Sequence, residues 1–146
     1  MTDKQALQTL IDGLNVDLAH EYAAVIQYLY NAATVPGMQR VILKDYFAGE
    51  IADEIGHAQF LAEQIAALGG TPVVQPAPVE QPTDVKTMLE VSLQGEIDTI
   101  RRYQERIQQA EAAGQHGLKL KLEDMLADED GHRLELEQIL KDPRFA

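Results

Sequence analysis

Two copies of one short motif carry the side chains with the clearest chemistry in this sequence. Asp53–His57 reads D-E-I-G-H and Asp128–His132 reads D-E-D-G-H. Residues three positions apart share one face of a helix, so the glutamate and the histidine of each motif can meet at one point. Carboxylate oxygens and imidazole nitrogens both bind metals. Each motif therefore predicts part of a metal site.

A regular spacing links each motif to an earlier glutamate. In both halves of the chain, a glutamate lies 33 positions before the glutamate of the motif. One offset of 75 residues relates the corresponding members: Glu21 and Glu96, Glu54 and Glu129, His57 and His132, and Tyr28 and Tyr103. The sequence thus consists of two similar units, each of which supplies two glutamates and one histidine.

Four long segments with apolar residues at helical spacing must position these side chains. We predict helices over about 4–34, 38–68, 84–113 and 115–140, the third of them capped by Thr83 or Asp84. The apolar stripe of the first helix is predicted to include Leu14, Leu18, Val25 and Leu29. Outside these four segments, no strand pattern is found.

The connections between the helices predict how they pack. The first and the third connection are short, and short links join antiparallel neighbours. The middle connection, 69–83, contains four of the six prolines and should be extended. It is then long enough to run back along a helix of roughly 45 Å. We therefore predict an all-α, ferritin-like four-helix bundle, one domain over 1–146, in which a long crossover joins two antiparallel hairpins.

Each predicted helix carries a glutamate on its apolar stripe. These residues are Glu21, Glu54, Glu96 and Glu129. A buried, unpaired carboxylate costs several kcal/mol, so four of them would unfold a domain whose stability is roughly 5–15 kcal/mol. Two divalent cations would balance the four charges, and neutral His57 and His132 would complete a set of six ligands. Such a set suits iron or manganese, and zinc could also bind.

The composition excludes some other kinds of functional site and disfavours others. The 146 residues carry a formal net charge of −12 and include no cysteine. Cysteine-ligated metal sites are thereby excluded, and the negative charge with scattered basic residues disfavours nucleic-acid binding. No apolar run reaches the ~18 residues of a membrane span, and the first residues lack the apolar core of a signal peptide. We expect a cytoplasmic protein without membrane or nucleic-acid partners.

The metal-binding motifs resemble those of the bacterioferritins, within the ferritin-like superfamily of di-iron carboxylate proteins. The resemblance covers nearly the whole chain and includes E-Y-A-A-V-I-Q-Y at Glu21–Tyr28 and L-A-D-E-D-G-H at Leu126–His132. It implies two bridging ligands, Glu54 and Glu129, and two terminal pairs, Glu21 with His57 and Glu96 with His132. It also implies a ferroxidase that oxidises Fe²⁺ to Fe³⁺ with O₂ or H₂O₂ for iron storage or detoxification.

Four residues are candidates for supporting roles. The resemblance makes Tyr28 a candidate electron donor during O₂ reduction, and Tyr103 repeats its position in the second half. Asp53 and Asp128 are candidates for holding the outer N–H groups of the two histidines.

Two features differ from the bacterioferritin pattern. Ile55 stands where haem-binding members carry an axial methionine, so no haem is expected. The sequence stops at Ala146, without the short fifth helix that lines the four-fold axis of the usual cage. We therefore expect a homo-oligomer other than the 24-subunit cage.

A catalytic di-metal enzyme is the alternative function: a rubrerythrin-like peroxidase, a di-iron oxygenase or a manganese catalase. Rubrerythrins typically carry a second glutamate three residues after the third-helix ligand, where this chain has Thr99, and a cysteine-rich module. A bundle without metal is disfavoured by the four core glutamates. The sequence leaves storage and catalysis open, because both use the same six ligands.

Overall fold

The computed structural model describes residues 2–146 and contains four long helices. They are α1 (Asp3–Thr34), α2 (Arg40–Ala67), α3 (Val85–Ala112) and α4 (His116–Ile139). A short 3-10 helix follows at Pro143–Phe145. Within residues 2–146 there is no strand, and no helix has the length and apolarity needed to cross a membrane. The prediction of an all-α fold is confirmed.

Local capping and backbone geometry explain where the helices begin and end. Asp84 caps α3 by accepting a hydrogen bond of 3.0 Å from the backbone N–H of Thr87. Gly69 and Gly114 follow α2 and α3 with φ angles of +91° and +72°. Only glycine adopts such angles without strain, so both helices stop there.

The core consists of two apolar layers that are separated along the bundle. The first layer contains Leu10, Ile11, Leu14, Leu18, Ala58, Leu61, Ile65, Tyr103, Ala110, Leu118, Leu122 and Met125. The second layer contains Tyr28, Ala32, Val35, Leu43, Phe47, Met88, Leu89 and Leu136. Along the chain, α1 and α4 run from the first layer to the second, whereas α2 and α3 run in the opposite direction. This order gives the two predicted antiparallel hairpins.

The proline-rich crossover runs along α1 and is held there by hydrogen bonds. The backbone N–H of Val73 donates to the side-chain oxygen of Asn15 at 2.9 Å. Further along, the hydroxyl of Tyr30 donates to the carbonyl of Pro82 at 2.8 Å. The crossover therefore follows α1 from the end of α2 back to the start of α3, as its length predicted.

One residue of the predicted stripe on α1 lies on the outer surface instead. Leu29 is 57% exposed, whereas its neighbour Tyr28 is only 3% exposed. The buried stripe advances in steps of three and four residues and therefore reaches Tyr28. Leu29 lies about 100° further round the helix, facing away from the core.

A buried ion pair joins α1 to α3. The guanidinium of Arg106 donates two hydrogen bonds to Asp17, at 2.8 and 3.0 Å. Gly13 makes room for it, because a Cβ at this position would overlap the guanidinium. The offset of 75 residues relates this pair to Asn31 and Ser92, which share a neutral hydrogen bond of 3.1 Å. The two halves are therefore similar in backbone but differ in charge.

Candidate metal centre

The six predicted ligands lie together between the two apolar layers. Glu21, Glu54, Glu96 and Glu129 are each 3% exposed or less. Every helix of the bundle supplies one of these glutamates, and α2 and α4 each add a histidine one turn later. The structure thus brings four carboxylates from four helices into the middle of the core.

The first group of potential metal ligands surrounds His57. One ligand-type atom from each of Glu21, Glu54, His57 and Glu129 lies within 4.8 Å of all the others. The Nδ1 atom of His57 is 2.9 Å from Oε1 of Glu129 and 3.8 Å from Oε2 of Glu54. These donors come from α1, α2 and α4.

The second group surrounds His132. It consists of Glu50, Glu54, Glu96 and His132, again with ligand-type atoms within 4.8 Å of one another. The Nδ1 atom of His132 is 2.9 Å from Oε2 of Glu50 and 3.6 Å from Oε1 of Glu54. Glu54 belongs to both groups, and Oε1 of Glu129 also lies 3.9 Å from Nδ1 of His132. Glu54 and Glu129 therefore lie between the two histidines.

Glu50 is the site residue that the sequence analysis missed. It precedes Glu54 by four positions on α2, so both carboxylates lie on one face, and this spacing was the available signal. The comparison of the two halves identified only residue types that recur at the offset of 75 residues, and this offset places Met125 in the equivalent position of α4.

The aspartate of each motif contacts the histidine of the other motif. Nε2 of His57 lies 3.2 Å from Oδ2 of Asp128. Nε2 of His132 lies 3.3 Å from Oδ2 of Asp53. In a neutral imidazole, an Nε2–H group that donates to the aspartate leaves Nδ1 unprotonated, and Nδ1 is the atom that faces the carboxylates. Each aspartate thus contacts the ring nitrogen that points away from the carboxylates.

Two buried tyrosines connect the halves in the same reciprocal way. The hydroxyl of Tyr28 donates to Oε1 of Glu96 at 2.6 Å. The hydroxyl of Tyr103 donates to Oε1 of Glu21. Burial, reinforced by the negative charge of these glutamates, raises the pKa of both phenols well above its ordinary value. Both tyrosines are therefore protonated at neutral pH.

The carboxylate cluster holds protons when no metal is bound. Burial and repulsion from Glu54 raise the pKa of Glu21, and burial likewise raises the pKa of Glu129. Burial alone would lower the pKa of His132, but its contacts with nearby carboxylates outweigh this effect and raise the pKa to about 12. A metal ion must displace these protons in order to bind.

Buried polar atoms without partners provide the test of whether metal fits. Among the described residues of this cluster, the following buried atoms lack a hydrogen bond: Oε2 of Glu21, Glu50 and Glu96, Oε1 of Glu54 and Glu129, and Nδ1 of His57 and His132. Some of them approach one another closely, but none of these contacts has hydrogen-bond geometry. An unsatisfied buried polar group costs about 1–3 kcal/mol. Divalent cations would satisfy all seven atoms, so the residues present fit two metal ions.

A cavity connects this cluster with the surface between α1, α3 and the crossover. Its volume is about 440 Å³, and its lining includes buried Tyr28, Glu96 and Glu129. His20 and Gly95 also line it. A water molecule occupies roughly 30 Å³ of liquid, so the cavity is large enough to hold several small molecules beside the carboxylates.

Comparison with known proteins places the chain in a family. A sequence model of the ferritin-like domain matches residues 11–145, and the chain belongs to this family. It is 50% identical to a ferritin-like, diiron-carboxylate protein from Bacillus anthracis strain Ames, with a TM-score of 0.93 over 97% of this chain and 100% of that one. The predicted resemblance to di-iron carboxylate proteins is confirmed.

Two further similar proteins are a bacterioferritin and a bacterioferritin-related protein. The chain is 32% identical to a bacterioferritin of Brucella melitensis over 126 residues, which are 84% of this chain and 77% of that protein. A dodecameric thioferritin, the bacterioferritin-related protein from Bacteroides fragilis, is 28% identical with a TM-score of 0.83. That alignment covers 93% of this chain and 86% of that one.

Proposed function

We propose that this protein is a ferroxidase, which oxidises Fe²⁺ to Fe³⁺ with O₂ or H₂O₂ for iron storage or detoxification. The observation that carries the proposal is the convergence of four buried carboxylates and two imidazoles, with unpartnered atoms, in the middle of the bundle. The similarity to a bacterioferritin supports iron as the metal. The same donors would also accept manganese or zinc.

The geometry supports a division of roles among the ligands. Glu54 and Glu129, which lie between the two histidines, would be shared by two metal ions. Glu21 with His57 would complete one position, and Glu96 with His132 the other. Two divalent ions neutralise the four carboxylates, and bound Fe²⁺ supplies the electrons that reduce the oxidant.

Aspartates and tyrosines would support this chemistry. Asp53 and Asp128 would keep the histidine rings in the orientation that presents Nδ1. Tyr28 would supply one electron to O₂ reduction while its phenolic proton passes to Oε1 of Glu96, which lies 2.6 Å away.

We expect a tyrosyl radical in the electron paramagnetic resonance spectrum of freeze-quenched samples, and Tyr28→Phe should abolish it. The matched Tyr103→Phe variant should retain it, and a signal that survives in Tyr28→Phe would reject the assignment.

An apolar groove between α1 and α2 supports self-association. Its lining includes Ile26, Ile55 and Val74, which are 40%, 50% and 81% exposed. We propose that a second copy of the chain covers this groove in a homo-oligomer, and a sedimentation mass of 16.2 kDa would contradict this. Because Ile55 offers no thioether, we propose that the protein works without haem. The similarity to a bacterioferritin supports the separate proposal that it works in the cytoplasm.

The ferroxidase proposal is tested by adding Fe²⁺ to the metal-free protein in air. We expect a rapid rise in ferric absorbance that is complete at two irons per chain, followed by slower oxidation with iron retained by the protein. Absence of a rapid phase in folded protein would reject the proposal. Repeated turnover of peroxide or of an organic substrate without iron retention would instead favour a catalytic di-metal enzyme.

A further inference from the structure

We propose that Glu50 is a seventh metal ligand and that it makes the two metal positions unequal. The position at His132 would then hold one more carboxylate than the position at His57. This inference rests on the proposed function, because it concerns the same metal centre.

The side chain of Glu50 already occupies a ligand position. It is 12% exposed, and its Oε2 lies 2.9 Å from Nδ1 of His132 without hydrogen-bond geometry. Two other members of this group, Glu54 and Glu96, are more than nine-tenths buried and each have an unpartnered carboxylate oxygen. Four donors thus face one point and leave their polar atoms unsatisfied by the protein.

The equivalent position in the other half of the bundle cannot bind metal in this way. The offset of 75 residues relates Glu50 to Met125, which is 1% exposed and belongs to the first apolar layer. A thioether is a soft, neutral ligand, whereas Fe²⁺ and Mn²⁺ in such sites prefer carboxylate oxygens. The structure therefore has an extra carboxylate on one side and an apolar side chain on the other.

The extra carboxylate should affect affinity because more negative ligands bind a divalent cation more tightly. The position at His132 should fill first, and the position at His57 second. An ion pair between Glu50 and protonated His132 would explain the short contact without metal. Metal binding displaces the proton of His132 and breaks such a pair, so this explanation predicts that Glu50→Gln leaves the first binding step unchanged or tightens it.

Anaerobic titration with Co²⁺ at pH 8, followed by calorimetry and visible absorption, distinguishes these explanations. In the wild type, we expect two Co²⁺ per chain, the first bound about 10- to 100-fold more tightly than the second. Glu50→Gln, which keeps the size of the side chain, should weaken the first step by a similar factor and change its absorption bands. Glu135→Gln removes an exposed carboxylate of α4 and should leave both steps unchanged.

A second variant uses the symmetry of the bundle. Glu50→Met copies the residue at the equivalent position, so both steps should become nearly equal while two Co²⁺ still bind. If Glu50→Gln and Glu50→Met retain the two-step isotherm of the wild type, Glu50 is not a ligand, although the six-ligand centre stands. If the folded wild type binds no Co²⁺, both the proposed function and this inference are wrong.

Discussion

Glu54→Ala and Glu129→Ala should each abolish the rapid phase of iron oxidation. These two carboxylates lie between the histidines, so under the proposed function each substitution would remove a ligand from both metal positions at once. Loss of a residue that merely orients a metal ligand typically costs 10- to 100-fold in affinity or activity, and loss of a shared ligand should cost at least about 100-fold. Stopped-flow absorbance after mixing with Fe²⁺ in air measures the effect.

Exposed glutamates on the same helices provide the controls. Glu63→Ala on α2 and Glu123→Ala on α4 make the same change of charge and helix propensity at the surface. Both should oxidise iron like the wild type. Circular dichroism establishes that all four variants are folded. A folded Glu54→Ala or Glu129→Ala protein with an unchanged rapid phase would show that the centre lies elsewhere.

Metal should stabilise the fold, and it should do so more at pH 8 than at pH 6. A ligand that binds only the folded state adds about 2.7 kcal/mol at a hundredfold excess over its dissociation constant. For a domain of this size, 1 kcal/mol shifts the melting temperature by roughly 4 °C, so the rise should be on the order of 10 °C. Thermal melts with and without saturating Mn²⁺ or anaerobic Fe²⁺ measure it.

The pH dependence follows from the protons on the metal-free cluster. The folded protein raises the pKa values of Glu21, Glu129, His57 and His132. It therefore binds more protons than the unfolded chain between pH 6 and 8, and its stability falls as pH rises. The stabilising effect of the raised histidine pKa values is complete below their ordinary value of 6.5 and is lost progressively as the pH rises from there through the raised values. Metal binding displaces these protons and tightens over the same range.

Neutralising the two glutamates that are proposed as terminal ligands tests whether buried carboxylates cause this pH dependence of stability. The double variant Glu21→Gln with Glu96→Gln should stabilise the metal-free protein, because it removes two buried acids from the cluster. It should also reduce the metal-induced rise in melting temperature. The control double variant, Glu63→Gln with Glu123→Gln, alters exposed residues and should change neither quantity. If the metal-free wild type melts as high at pH 8 as the metal-loaded protein, the buried carboxylates do not destabilise the metal-free fold.

The sequence by itself determined the four helices, their order and the location of the carboxylates. The reason is local periodicity: apolar residues at steps of three and four identify the face that each helix buries. A glutamate on such a face would be buried without a partner, which costs free energy. Four such glutamates at regular spacing therefore predicted a metal centre that neutralises them. The proline-rich crossover is long enough to run back along a whole helix, and this length predicted that the third helix starts at the same end of the bundle as the second.

Only the tertiary structure decided which residues meet across the bundle. Spacing along a helix shows which face a side chain occupies, but it does not show which side chain of another helix lies opposite. Asp53 therefore could not be assigned to His132, nor Tyr28 to Glu96, until the helices were packed. Glu50 was missed because its contact with His132 depends on the rotation of α2 relative to α4. The contact of Glu50 with His132 breaks the similarity of the two halves, which the repeated motifs alone suggested to be equivalent.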